Sequence, residues 1–413
     1  MQVLLPVICL TMPPRARTVS LRPPARVFVT RFIMTRSQVC TRCVCDDSIP
    51  GLSFDENGVC SLCKNYDLIE QEFPLNEATE QKFQRIVDNI KKSRRNAKYD
   101  CLIGVSGGTD SIYTLYIARK YGLNPLALHV DDGFDTDISI RNTQNAVNKL
   151  NVDLYTVKVD ENEITDLELA FFKAGIPDVE TPPDMAITAS LYKCAAQFGI
   201  NYILIGNSFR TEGKMPPGWS YGDGKYLTSI HDRFGHTSLE TFPNLMLKDY
   251  LYYFIFKKIK VVKPLYYLPY VKKDVKKLLE RELEWVDYGT GHHESIYTRF
   301  VQGYLLPRKF GIDKRKIHYS ALIRSNQITR QEALTKLGSP ACSDDMVKED
   351  KQYLCNKFGV SLEEFESIIN TEPRPRSEFD SYYPLVCKLR HVIDIAYRLH
   401  LFPTKIYGNY DRE

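Results

Sequence analysis

The hexapeptide Ser106-Gly107-Gly108-Thr109-Asp110-Ser111 brings together two glycines, three hydroxyls and a carboxylate. It lies between a strand-like apolar run, residues 101–105, and a helix-like run, residues 112–118. Such a turn makes an anion site. Glycine lets backbone N–H groups approach phosphate oxygens, and the helix start adds partial positive charge. The loop has no lysine, so it is not the GxxxxGK[ST] loop of GTPases and related kinases. Asp110 is a hard oxygen ligand suited to Mg²⁺ shared with phosphates, and it also stands where a helix cap would.

Four cysteines form a second constellation: Cys40-x2-Cys43 and Cys60-x2-Cys63. Two CxxC knuckles joined by a short loop make a tetrahedral thiolate cage, which suits Zn²⁺ and leaves no open position for catalysis. Residues 55–58, Asp-Glu-Asn-Gly, read as the turn between them, and Cys45 is an extra thiol beside the cage. Disulfides and an iron–sulfur cluster are the alternatives; a reducing cytoplasm argues against disulfides.

Further candidates stand at strand ends. His129 and Asp131 close the second apolar run, where backbone faces an adenine and acids reach ribose or metal. Gly206 begins the segment after the fourth run, and Glu212 follows in it as a second candidate Mg²⁺ ligand. A denser cluster occupies residues 289–323. It contains His293, Glu294, Lys309, Lys314 and Arg315, which would act on substrate or neutralise departing phosphate charge; the bland alternative is a set of buried ion pairs.

These residues need a frame. Strand-like runs at 101–105, 126–130, 154–159 and 202–205 alternate with helix-like runs at 111–121, 138–150 and 184–199. The alternation predicts an α/β fold with a doubly wound parallel sheet and ligands at the strand C-terminal ends. Residues 77–97 and 272–284 read as charged helices, 243–260 as an aromatic segment with a helical look, and 218–235 as loop. The division expected is a leader or disordered tail over 1–36 and a zinc ribbon over 37–70. A nucleotide-binding domain over 77–216, a substrate-binding catalytic region over 217–340 and a helical extension over 341–413 follow. Residues 1–45 carry seven arginines and no acid, so the net +4 splits into +7 there and −3 in the remainder. A mildly acidic body gives no support for nucleic-acid binding. No run of about 20 apolar residues is present, so no membrane span is expected.

The loop resembles the SGGxDS loop of the ATP pyrophosphatase (PP-loop) superfamily. In those enzymes it holds the β,γ-phosphates of ATP while the α-phosphate passes to a substrate oxygen. More selectively, the chain resembles the N-acetyl sugar amidotransferases of surface-polysaccharide (LPS O-antigen) biosynthesis. The resemblance runs through Cys40-Thr41-Arg42-Cys43, Pro177-Asp178-Val179-Glu180-Thr181 and Thr211-Glu212-Gly213. It is densest from His292-His293-Glu294-Ser295 to Leu306-Pro307-Arg308-Lys309-Phe310, then Asp313-Lys314-Arg315 and Gln327-Ile328-Thr329-Arg330, and covers roughly residues 38–340. The chain departs from the family pattern at Gly291, Asn207 and Asn326. The resemblance implies a cytoplasmic enzyme that turns the N-acetyl group of a nucleotide-activated sugar into an acetamidino group. It implies ATP, Mg²⁺ and Zn²⁺ as cofactors. It also implies ammonia from a separate glutaminase assembly similar to the subunits of imidazole glycerol phosphate synthase.

Two rivals remain at this stage. A tRNA thiolation enzyme would need a reactive cysteine near the loop, and Cys194 lies in a helix that reads as packing. A zinc-ribbon scaffold with a degenerate nucleotide fold would have no reason to keep the intact loop.

Overall fold

A computed structural model describes residues 38–93, 97–289 and 294–398. The readings of the leader and of His293 lie outside these residues. The described residues form one compact unit.

The N-terminal cysteines sit in a small ribbon followed by α1 (Ser61–Glu72). Two short antiparallel bridges, Val39 with Asp46 and Phe54 with Cys60, frame the two knuckles. Gly58 takes φ +72° in the turn between them, and its N–H donates to Asp55 O at 2.9 Å. α2 (Glu77–Ser93) lays Phe83, Val87 and Ile90 on one face, the 3.6-residue period of a helix against a core.

The α/β body follows: β1 (Cys101–Gly104), α3 (Thr109–Lys120), β2 (Pro125–Asp131), α4 (Asp137–Leu150), β3 (Asp153–Lys158), α5 (Glu161–Ala174), α6 (Thr181–Gln197) and β4 (Tyr202–Leu204). Thr136 and Asp160 cap α4 and α5 by accepting from backbone N–H groups of the first turn; Gly175 ends α5 in the left-handed conformation. After α7 (Gly224–Phe234) and α8 (Leu247–Leu251) comes β5 (Lys260–Val262), then α9 (Lys272–Leu283).

All five strands pair in parallel, in the order β3-β2-β1-β4-β5. β1 is central, and Cys101, Leu102 and Ile103 are wholly buried, as a strand covered on both faces requires. The chain steps from β1 to β3 on one side and returns to β4 on the other. The crevice between β1 and β4 is therefore the switch point where doubly wound sheets bind ligands. This is the doubly wound parallel sheet expected from the sequence, with one strand more.

Three readings need correction. Residues 260–262 form a fifth strand, although they stand at the end of a segment read as helical. The segment 218–235 contains α7, and α5 is an additional helix between β3 and α6.

The C-terminal part is helical: α10 (Ile296–Phe300), a wider turn over Val301–Leu305, α11 (Leu306–Phe310), α12 (Arg315–Arg324), α13 (Arg330–Leu337), α14 (Asp344–Phe358), α15 (Leu362–Ile369) and α16 (Tyr383–Arg398). It is fastened to the body by ion pairs that cross long sequence distances. Arg376 grips buried Asp178 with two bonds, at 2.5 and 2.8 Å. Asn326 holds φ +58° after α12, a conformation glycine adopts freely and asparagine tolerates better than other residues.

Candidate active site

The C-terminal ends of the strands open onto a cavity of about 2000 Å³. Ser106 and His129 line it from β1 and β2, and Gly206, Asn207, Ser208 and Glu212 from the segment after β4. Asp132, Asp135, Glu180 and Asp184 add a dense acidic wall; Lys263 and Lys314 add cations, and His318 an imidazole.

The loop after β1 is tightly fixed. Gly107 has φ +74°, and a Cβ there would fall 2.2 Å from Ser139 O, so only glycine fits. Its carbonyl accepts from Trp285 Nε1 at 2.9 Å. Ser111 Oγ accepts from Ser106 N at 3.2 Å and lies 3.3 Å from Ser106 Oγ. A Cβ on Gly206 would reach 2.6 Å from Asp110 C, so the end of β4 can close onto the start of α3 only because that residue is glycine. Ser106 lines the cavity; Gly107 to Ser111 lie beyond its lining, with Tyr288 and Glu294 packed against the Gly108 position.

Asp110 is engaged by two residues that sequence reading did not single out. Tyr270 Oη donates to its Oδ1, and Lys272 Nζ lies 3.3 Å from its Oδ2. Burial works against the Lys272 charge, and Asp110, with Glu212 farther off, restores it so that its pKa ends above the usual lysine value. The loop without a lysine thus receives one from the start of α9. Both residues are some 160 positions from Asp110 in sequence, and no local motif marks them. Glu212 accepts from Asn207 Nδ2 at 3.0 Å, so the departure at Asn207 holds the carboxylate in place.

His129 is clamped at both ring nitrogens, with Nδ1 3.1 Å from Val105 O and Nε2 3.2 Å from Asp135 Oδ2. Burial disfavours its cation, but the Asp135 carboxylate outweighs that and the pKa rises. Asp132 is pushed up to about 6, first by burial and then by Asp135. Behind this wall Glu168 is wholly buried with both carboxyl oxygens unpaired; burial and Asp132 hold its pKa well above the usual range. Asp131 turns away from this role: its carboxylate accepts from Gly133 N at 3.1 Å, and it is not among the lining residues.

The dense C-terminal cluster divides. Lys314 pairs with Glu180, which also accepts from Gln302 Nε2 at 2.6 Å, and all three line the cavity with Glu294. Lys309 and Arg315 do not. Lys309 Nζ donates to Thr371 Oγ1 at 3.1 Å beside a separate cavity of about 230 Å³. The Arg315 guanidinium forks onto Asp313 and donates to Ser339 O at 2.7 Å. Both were read as catalytic from sequence; the structure sets them outside the lining of the large cavity, with their donors tying helices together.

The four cysteines Cys40, Cys43, Cys60 and Cys63 are all buried, and their sulfurs lie within 4.8 Å of one another. The pairs Cys40–Cys63 and Cys43–Cys60 are 3.9 and 3.7 Å apart. A tetrahedron of Zn–S bonds sets sulfurs about 3.8 Å apart, so the cage fits one zinc ion. An iron–sulfur cube would sit between its thiolates and spread them farther. Buried Arg324 reaches Cys63 Sγ at 3.2 Å and Cys43 Sγ at 3.4 Å, which offsets thiolate charge. Arg330 donates to the carbonyls of Cys43 and Cys40 at 3.0 and 3.3 Å.

The C-terminal helices that complete the cavity also carry a family signature. Residues 294–390 match the family described as LPS biosynthesis protein WbpG-like, C-terminal domain. This WbpG-like segment begins at Glu294 and contributes Thr298, Gln302, Lys314 and His318 to the cavity. The chain is also similar to the uncharacterized protein MJ1599 of Methanocaldococcus jannaschii. The two are 23% identical over 306 residues, which cover 72% of this chain and 92% of that protein. Among solved structures, NMN synthetase from Francisella tularensis aligns with 72% of this chain and 98% of its own, at 14% identity and TM-score 0.32. The U34-tRNA thiolase NcsA from Methanococcus maripaludis aligns with 64% and 80%, at 16% identity and TM-score 0.27.

Proposed function

We infer that this chain is an ATP-dependent, AMP- and pyrophosphate-forming amidotransferase acting on a nucleotide-activated N-acetyl sugar. The observation that carries the reading is the placement of the SGGTDS loop at the switch point, beside a cavity that the WbpG-like segment helps to line. The cavity, at about 2000 Å³, has room for two nucleotide-sized molecules.

An acetamide carbon is a poor electrophile. The acetamide oxygen attacks the α-phosphorus of ATP, the bond to the β-phosphate oxygen breaks, and pyrophosphate leaves. Ammonia then forms a C–N bond to the activated carbon, the C–O bond to AMP breaks, and loss of a proton leaves the amidine. The protein supplies position and charge neutralisation. The loop backbone with Ser106 and Ser111 holds pyrophosphate. Lys272 sits beside Asp110 to meet charge developing there, and Lys314, paired with Glu180, lines the cavity where substrate would lie. Asp110 and Glu212 are the residues that would hold Mg²⁺, which would supply neutralisation of the polyphosphate charge. The zinc cage is structural.

Thiolation of tRNA is the less favoured reading, since no cysteine lines the cavity among the described residues. A cytoplasmic site of action and an external glutaminase as ammonia source belong to the same proposal. The test is release of AMP and pyrophosphate by purified protein. Release that requires both ammonium and a nucleotide sugar supports the reading; release with tRNA and a sulfur donor instead would replace it.

A further inference from the structure

The segment from α8 to β5 has two unlike faces. Its inner face is anchored on Tyr192 of α6, whose ring lies 5.5 Å from Tyr253, 5.7 Å from Phe254 and 5.9 Å from Tyr250. Its outer face carries Leu251, Tyr252, Ile255 and Phe256, which are 37, 45, 57 and 74% exposed. Their i, i+1, i+4, i+5 spacing puts all four on one side of the turn. A soluble surface scatters such residues singly, and this contiguous set calls for a partner.

The flanking charges identify the kind of partner. Lys248, Lys257, Lys258 and Lys260 are exposed around these four residues, and Asp249 is the one acid among them, its carboxylate accepting from Met246 N at the start of α8. The chain beyond residue 45 is net −3, so this basic cluster runs against the charge of the body around it. Lysine is depleted from protein–protein interfaces. Aromatic and aliphatic tips ringed by lysines are instead the composition of surfaces that sit at the headgroup level of an anionic bilayer. Lysine stems lie along apolar surface while their ammonium groups reach phosphate.

We propose that the exposed face of residues 248–260 docks the protein reversibly on a membrane surface rich in anionic phospholipid. Among the described residues no helix is long and apolar enough to span a bilayer, so the attachment is peripheral. Ile255, Lys258 and Lys260 also line the large cavity. Docking through this face therefore brings the cavity mouth to the bilayer, a placement independent of the reaction carried out inside.

The test is co-sedimentation of the full chain with vesicles of phosphatidylglycerol and phosphatidylethanolamine, and with phosphatidylcholine alone. Wild-type protein is expected to pellet with the anionic vesicles only, and to be released when salt rises from about 0.05 to about 0.5 M. Tyr252→Ser with Phe256→Ser, and separately Lys248→Gln with Lys257→Gln, each remove binding by roughly tenfold or more, at about fivefold per lysine. Neither pair touches the cavity lining, and unchanged melting profiles show that both variants fold. Wild-type protein that stays in the supernatant with anionic vesicles overturns the proposal. So does variant binding equal to wild type. A homo-oligomer that is broken by Tyr252→Ser with Phe256→Ser, without vesicle binding, would assign the face to a second copy of the chain and also overturn it.

Discussion

Arg324 Nε lies 3.2 Å from Cys63 Sγ, which joins the last turn of α12 to the cysteine cage. The same helix carries His318 to the cavity, with Lys314 at its N-cap. Ser320 Oγ contacts Cys45 Sγ at 3.2 Å, and Lys316 pairs with Asp46 at 2.6 Å. The ribbon thus braces the helix that forms one wall of the site.

One zinc per chain is expected by elemental analysis of protein purified without added metal. Cys60→Ser should lose it and leave Arg324 buried beside too little negative charge. The cost is on the order of 3–5 kcal/mol, read by denaturant unfolding. Stoichiometric iron, or an unaltered unfolding midpoint, would contradict the assignment.

Asp110→Asn keeps the shape of the side chain and a partner for Tyr270 but removes the charge that faces Lys272. ATP-dependent pyrophosphate release should fall by at least about 100-fold with the melting profile close to wild type. Near-normal turnover would take the loop out of the mechanism.

The two lysines read together from sequence should separate in kinetics. Lys314→Met is expected to lower kcat/KM by about 100-fold, because it removes a cation from the cavity wall. Lys309→Ala should change it less than about threefold, since its amine bonds Thr371 away from the cavity. Equal losses in the two variants would contradict the placement.

Asp132 makes stability depend on pH in a set direction. Its folded pKa of about 6 stands above the ordinary aspartate value of 3.8, so the folded chain holds more protons than the unfolded chain between those values. Stability contributed by the protonated acid is full below about 4 and is lost as pH rises through about 6. Asp132→Asn should therefore stabilise the protein at pH 8, by on the order of 1–3 kcal/mol, with the gain vanishing near pH 4. Equal unfolding midpoints for variant and wild type at pH 8 would contradict this.

The four longer strand runs were legible because apolar residues in short continuous stretches, bounded by turns, have few other uses. β5 was hidden because three residues, Lys260–Val262, sit at the end of an aromatic stretch whose period suits a helix. α5 had readable ends, Asp160 before it and Gly175 after it, that a stricter search for caps would have found. The positions of Ser106, Gly206 and Glu212 beside the cavity were legible from the loop and the strand order. Tyr270 and Lys272 were not, since only the tertiary fold brings α9 to α3. That Lys309 and Arg315 fall outside the cavity lining was not legible, because density of charge is not direction. The left-handed turn at Gly311 sends α11 and α12 different ways.

The central claim is most directly tested by the mass of the product. Purified protein is incubated with ATP, ¹⁵N-labelled ammonium and UDP- or CMP-linked N-acetyl sugars. The account predicts a sugar nucleotide in which one acetamide oxygen has been replaced by labelled NH, with AMP and pyrophosphate formed in equal amounts. Sugar nucleotides recovered unaltered across the panel, while the protein consumes ATP with a different acceptor, would contradict it.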